Sequence, residues 1–321
     1  MHSHSHNSNQ KHNHESGHEH SHGHSHDHAE LDFKNINTSF LIAVFANLAF
    51  TIVEAFYGFT TNSVSLLGDA GHNLSDVLGL LLAWGAAYLA TKKANNMYSY
   101  GYRRSTILAA IINAVVLIFA SGFIAYESIE KFFLQSEIQT LPVMIVATIG
   151  IFVNAGSALL FMKGSKSDLN LKGAYLHLAY DAAISLGVVI AAIAIHFSGW
   201  LWIDSLAGLL IVFIILGGTW SLLKDSINLI LDAVPEGVDQ DSVRAYLEEI
   251  PGVTEVHDLH IWAMSTNENC MTAHLVMPEN TLWDSEESYT NIGDNLRDNY
   301  NVHHVTLQVE KEMDCAHANC N

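Results

Sequence analysis

Two short runs hold the residues whose types and spacing permit metal chemistry. The first reads Gly68-Asp69-Ala70-Gly71-His72-Asn73-Leu74-Ser75-Asp76 and the second His177-Leu178-Ala179-Tyr180-Asp181. In each, a His and an Asp stand four positions apart, so on a helix they share one face, one turn from each other. Two such faces brought together supply two imidazoles and two carboxylates. Four nitrogen and oxygen ligands in a compact cluster suit a tetrahedral divalent ion, Zn2+ above all. One His-x-x-x-Asp is a weak signal, since a satisfied polar pair also joins helices. The repetition of the pattern in two apolar segments makes it specific.

The segments that must position these residues are apolar. Half of the 321 residues are hydrophobic, only 15% are charged, and the mean hydropathy is +0.21. Soluble globular chains carry about 25% charged residues, so an entirely soluble chain is excluded. Six stretches of bilayer-spanning length, about 20 residues, run over 38–59, 66–90, 105–126, 141–162, 173–196 and 203–222. Without the alternating pattern of a barrel they must be helices, because lipid offers no partner to an exposed backbone. Ionisable side chains within such spans are costly and mark function, which applies to His72, Asp76, His177 and Asp181. Glu54 on the first span and Asp69 early in the second are expected to line an outer vestibule or a proton path. Asn47, Asn113 and Asn154 read as interhelical hydrogen-bond partners. Gly68, Gly71, Gly79 and Gly187 are expected to allow close helix approach, and Asp204 to sit at the membrane interface.

Basic residues orient the bundle. Lys92, Lys93, Arg103, Arg104, Lys163, Lys166 and Lys172 lie in loops on one side, against Lys131 alone on the other. The positive-inside rule therefore places the seven-residue side, and with it both termini, in the cytoplasm. Span two descends from outside and span five rises from inside, so Asp76 and Asp181 both fall within about two turns of the midplane at ~1.5 Å per residue.

Composition divides the rest. Residues 1–35 form a His-rich cytoplasmic arm with eleven of the twenty His between His2 and His28. It has little to bury, so disorder and metal buffering are expected. Residues 36–225 are the six-helix membrane domain. Residues 226–313 return to soluble patterning: a helix over 239–250, strands near 253–263 and 270–277, a helix near 285–299 and a strand near 303–310. This αββαβ order predicts a small α+β domain with helices on one face of a three-stranded sheet. Its candidate ligands are His257, His260, His274, His303, His304 and Glu310. By strand parity His257 and His260 face opposite sides, and His303 and Glu310 combine only if His303 precedes the regular strand or a bulge intervenes. Residues 314–321 form a tail whose Cys315 and Cys320 are candidate soft ligands. A disulfide framework is not indicated, with Cys270 isolated. A formal charge of −19, from 14 Lys+Arg against 33 Asp+Glu, excludes nucleic acid as a partner and suits a cation.

The run from Asn62 to Asp76, His177 to Asp181, Trp220 to Ser226, Val256 to Trp262 and Val305 to Glu310 together resemble the cation diffusion facilitator family, in its zinc-transporting branch. The resemblance covers about residues 38–310. It implies a homodimeric, proton-coupled antiporter that exports cytosolic Zn2+, with Cd2+ and other divalent ions as further cargo, by alternating access. His72, Asp76, His177 and Asp181 match the family's transport site. His257, His274, His303 and Glu310 match positions where relatives bind zinc in a cytoplasmic domain of metallochaperone-like fold. The loop 91–104 lacks the His and Asp that hold metal in some relatives, and Tyr180 stands where relatives carry a small residue. A bacterial inner membrane is the expected location. Two other readings stand beside this one. An intramembrane zinc enzyme needs a positioned general base, as in His-Glu-x-x-His, which is absent from the sequence. A membrane-anchored metal sensor accounts for the arm and the soluble domain but not for the ligand pairs within the spans.

Overall fold

A computed structural model describes residues 38–134, 137–162, 169–278 and 286–312. The His-rich arm and the tail with Cys315 and Cys320 lie outside these residues. Six long helices come first: α1 (Thr38–Thr61), α2 (Val64–Ala90), α3 (Ser105–Leu134), α4 (Thr140–Met162), α5 (Leu169–Ser198) and α6 (Trp202–Ile230). Each covers one expected span. Helices α3, α5 and α6 run further than the apolar stretches that announce them, and α6 carries the bundle past residue 225 to Ile230. Among the described residues, α2 to α6 are long and apolar enough to cross a membrane by length and composition.

The bundle is built inside out relative to a soluble protein. Phe119, Phe152, Phe197, Phe213 and Trp220 are exposed on its flanks, whereas Glu54, Asp69, Asn113, Asn154 and Ser185 are buried within it. That is the distribution a hydrocarbon solvent imposes. An apolar core of Phe50, Leu66, Val143, Val146, Ala147, Val188, Ala192, Ile211 and Ile215 joins α1, α2, α4, α5 and α6. Helix α2 is central and touches α1, α3, α5 and α6. Its glycines seat it on two of them: a Cβ at Gly71 would stand 2.9 Å from Ile124 Cδ1 of α3, one at Gly79 3.0 Å from Asn113 Nδ2 of α3, and one at Gly68 3.4 Å from Ile211 of α6. Gly187 differs from expectation, since a Cβ there would meet nothing within 4 Å. The approach of α5 to α2 is therefore not a glycine contact.

Asp204, expected at the membrane interface at the start of α6, is enclosed by protein. It is 2% exposed, and its carboxylate caps the first turn of α2. Oδ2 accepts from Val64 N at 2.6 Å, and Oδ1 accepts from Ser63 Oγ at 2.7 Å, Ser65 N at 3.4 Å and Ser65 Oγ. Helix N-termini leave amides unpaired and carry partial positive charge; α6 supplies the anion that answers both.

The soluble part follows as α7 (Gln240–Glu248), β1 (Glu255–Ala263), β2 (Asn269–Val276), α8 (Glu286–Tyr300) and β3 (His304–Glu310). The predicted αββαβ order is observed. The strands lie β1-β2-β3, with β1 antiparallel and β3 parallel to β2. Val243 and Leu247 of α7 and Ile292 and Leu296 of α8 pack with Val256, Ile261, Met271, Ala273 and Leu275, so both helices cover one sheet face. The other face carries the candidate ligands.

Candidate metal sites

In the membrane domain, the helix period brings His72 and Asp76 onto one face of α2, and His177 and Asp181 onto one face of α5. The two faces meet. His72 Nε2 lies 3.3 Å from Asp181 Oδ1, and His177 Nε2 lies 3.3 Å from Asp76 Oδ2 across the helix pair. Along each helix, His72 Nδ1 is 3.7 Å from Asp76 Oδ2 and His177 Nε2 is 3.7 Å from Asp181 Oδ2. The four side chains thus form a closed ring of alternating imidazole and carboxylate. A tetrahedral ion with bonds of ~2.0–2.1 Å needs ligand atoms ~3.3 Å apart, the spacing of the two contacts across the helix pair. His72, Asp76 and Asp181 offer one atom each within 4.8 Å of one another, and His177 adjoins this group through Asp76 and Asp181. Exposure is graded along the bundle: the side chains of His72 and Asp181 are 11% and 5% exposed, those of Asp76 and His177 27% and 36%. The two more open residues are those nearer the 91–104 loop end of the bundle.

The second cluster is on the helix-free sheet face. Glu310 joins two histidines, with Oε2 3.1 Å from His257 Nε2 and Oε1 3.0 Å from His274 Nδ1. The imidazole centroids are 5.1 Å apart, and Gln308 Nε2 donates to Glu310 Oε1 at 2.8 Å. His257 pairs with His274, and Val276, two residues along β2, pairs with Glu310 on β3; register alone brings the three together.

Two parity expectations need correction here. The register of β1 slips between His257 and His260. Asp258 takes a positive φ of 51° there, a conformation Asp tolerates better than most residues. The extra residue of this bulge turns His260, which pairs with Thr272, to the same face as His257. The bulge also aims Asp258 at two histidines, with Oδ1 3.0 Å from His260 Nε2 and Oδ2 3.6 Å from His274 Nε2. Asp258 was not among the sequence candidates; a polar residue tolerant of left-handed backbone between two strand histidines was its only signal.

His303 does precede the strand, as one of the two conditions required, but at the wrong end. It adjoins His304, which pairs with Cys270, whereas Glu310 pairs with Val276. Six residues of strand, ~20 Å, separate the two positions. His303 instead closes the start of the β2–β3 pair: its N donates to Asn269 O at 2.9 Å and its Nδ1 accepts from Asn269 N at 3.3 Å. The structure does not bring His303 to the His257, His274 and Glu310 cluster. Nor is Cys270 available as a thiolate: burial pushes its thiol up to about 11, with Glu268 nearby acting in the same direction.

Replacing Glu310 with alanine in a chain that also carries Asp181→Ala, so that the membrane cluster is silent, is expected to weaken zinc binding ~10- to 100-fold, as loss of a supporting carboxylate does in metal sites. His303→Ala in the same background is expected to leave affinity unchanged. Competition with a zinc-binding dye measures both, and equal losses would restore His303 to the site.

The soluble domain sits against the same bundle end as the 91–104 loop. Arg103 pairs with Glu268, Arg104 Nη2 lies 2.5 Å from Asp232 Oδ1, Thr106 Oγ1 accepts from Thr266 N at 3.1 Å, and the Tyr100 and His304 rings meet edge to face.

Comparison with known proteins agrees with this architecture. Residues 40–231 match the cation efflux transmembrane domain and residues 235–312 the cation efflux protein cytoplasmic domain. The chain is 38% identical over 275 residues to the cadmium, cobalt and zinc/H(+)-K(+) antiporter of Bacillus subtilis, covering 85% of this chain and 88% of the relative. It is 37% identical over 273 residues to the metal cation efflux system protein CzcD of Cupriavidus metallidurans, covering 85% and 86%. To the zinc transporter ZitB of Escherichia coli it is 34% identical over 273 residues, covering 84% and 86%. With both halves of the family's architecture matched in order, the chain belongs to the cation efflux family, the cation diffusion facilitators.

Proposed function

We infer that the protein is a proton-coupled antiporter that exports Zn2+, and divalent ions of similar ligand preference such as Cd2+, from the cytoplasm by alternating access. The observation that carries this reading is the closed ring of His72, Asp76, His177 and Asp181, its His72 and Asp181 side buried, within a bundle whose flanks are apolar. A resident structural zinc would be satisfied anywhere in the fold; a ligand ring held by two different helices and open toward one end is what a carried ion needs. Zinc requires neutral imidazole and ionised carboxylate, so binding releases protons and acid weakens it. Metal therefore loads from the more alkaline compartment and is displaced where protons are abundant. Relatives named as an antiporter with H(+) and as zinc transporters agree with this chemistry.

The loop bearing Lys92, Lys93, Arg103 and Arg104 and the soluble domain occupy the cytoplasmic side, which puts the more exposed ligands Asp76 and His177 nearest the compartment that supplies metal. His257, His274 and Glu310 bind zinc as a regulatory ligand of the soluble domain, and two copies of the chain form the working unit in a bacterial inner membrane, with the soluble domains as the dimerising element. The sensor reading needs no ring within the bundle, and the ring favours transport.

Zinc flux into proteoliposomes with an imposed pH gradient tests the reading. Flux is expected to follow the gradient in direction and to stop when the gradient is collapsed. Zinc binding by folded protein with no gradient-dependent flux would overturn transport and leave the sensor.

A further inference from the structure

The membrane domain holds two carboxyl groups that the metal ring does not use and that have no solvent contact: Glu54 on α1 and Asp69 on α2, both 0% exposed. Each has one oxygen satisfied. Asn73 Nδ2 donates to Glu54 Oε2 at 3.0 Å, and Ser185 Oγ donates to Asp69 Oδ2 at 2.7 Å. The other two oxygens, Glu54 Oε1 and Asp69 Oδ1, are buried and meet no donor among the described residues. The two carboxyl groups stand within hydrogen-bonding reach of each other. Carboxylates only accept, so the contact between them requires a hydrogen that the side chains do not otherwise supply.

The surroundings select a proton for that position. Of the ionisable side chains, Asp181 of α5 acts on both groups and His72 of α2 on Asp69. Helix α4, which packs on α1, has no ionisable residue. The ionisable residues of α3 are Tyr126, Glu127, Glu130 and Lys131 in its last turns, and Lys131 is held by Asn62 O and Glu127. Those of α6 are Asp204, committed to the α2 N-terminus, and Lys224 and Asp225 near its other end. Two buried carboxyl groups this close, with the His72 imidazole acting on Asp69 alone, retain one proton between them, because like charges at this separation cannot both ionise cheaply.

Position gives the pair its use. Asp69 precedes His72 by three residues on α2, and Ser185 follows Asp181 by four on α5. With the helices antiparallel, both steps lead one turn away from the metal ring toward the end of the bundle opposite the soluble domain. We propose that Glu54 and Asp69 share one proton and form a proton-binding site on the outer side of the metal ring, carrying a proton that crosses in exchange for metal. The proposal rests on the antiport reading. Arrival of a doubly charged ion one turn away compensates Asp76 and Asp181 and so lowers the cost of ionising the pair, whose shared proton leaves as H+ to the cytoplasmic solvent that supplied the ion. In the outward-open state a proton from outside binds between the two oxygens again, the compensation ends, and metal departs.

The infrared spectrum of the wild-type full chain at neutral pH tests the protonated pair directly. A carboxylic acid C=O band is expected, lost on zinc binding and absent from both Glu54→Gln and Asp69→Asn. Counting protons released into weakly buffered detergent solution with a pH dye supplies a second reading: Glu54→Gln is expected to release about one proton fewer per zinc bound at the membrane ring than wild type. No acid band in wild type, or an unchanged proton count in a zinc-binding variant, would overturn the pair. A band present in wild type without gradient-driven flux would instead overturn the antiport reading, so the two failures are separable, and the wild-type band does not depend on any variant folding.

Discussion

Asp181→Ala is expected to abolish gradient-driven zinc flux while leaving the soluble domain's zinc intact. Asp181 is the most enclosed member of the ring, its side chain 5% exposed, and it touches both imidazoles, with Oδ1 toward His72 across the helix pair and Oδ2 toward His177 along α5. Removing it leaves two imidazoles and one carboxylate around a divalent ion, so the bound complex acquires net charge in a low-dielectric bundle. Breaking one member of a buried charge cluster costs about 3–5 kcal/mol, which corresponds to roughly 10²-fold to several thousand-fold in affinity. At the metal concentrations that saturate wild type, the variant's ring is then essentially empty. Parallel flux measurements in proteoliposomes give the answer, with dye competition at His257, His274 and Glu310 as the internal control for folding. Undiminished flux would place the transport site elsewhere in the chain.

The convergence of these four side chains is legible in the sequence, while that of the cytoplasmic cluster is only partly so, and the difference has a physical origin. A four-residue interval on a helix fixes relative direction regardless of what the helix packs against, so His72 with Asp76 and His177 with Asp181 had to share faces. Their meeting then needed only two antiparallel spans of matched depth. On a strand, direction depends on every residue in the register, and one inserted residue reverses it. Asp258 is that residue, and nothing in a single sequence distinguishes an Asp in left-handed backbone from one in an extended strand. His303 fell outside the cluster for a related reason: parity constrains which face a side chain takes, not how far along the strand its partners lie. Gly187 has the residue type of a contact position, but close packing depends on what faces it, and among the described residues nothing lies within 4 Å of a Cβ there. Glu54 and Asp69 were visible as costly groups within spans, but their joint arrangement with Asn73 and Ser185 comes from three helices and needs the tertiary structure.

Asp204 is the case where long-range structure matters most, and its replacement by alanine is expected to destabilise the bundle rather than alter its chemistry. One carboxylate from α6 accepts from two backbone amides and two hydroxyls at the start of α2, across about 140 residues of chain. Ser63 can still serve Leu66 N, which it already reaches at 3.3 Å, but Val64 N and Ser65 N lose their acceptor in a buried position. Loss of an N-cap costs about 0.5–2 kcal/mol and leaving buried donors unpaired about 1–3 kcal/mol, so about 3 kcal/mol is expected in total. The consequence reaches the site because α2 also carries His72 and Asp76, and the α2–α6 contact at Gly68 and Ile211 lies about one turn along from the cap. A fall in the unfolding midpoint of about 5 °C or more, measured in detergent, is the expected result, with Asp204→Asn intermediate because its amide oxygen retains one acceptor. Zinc affinity of the folded fraction is expected to stay near wild type. A variant as stable as wild type would show that the amides at the start of α2 find other acceptors; wild-type stability with lost zinc binding would instead move Asp204 from scaffold to transport path.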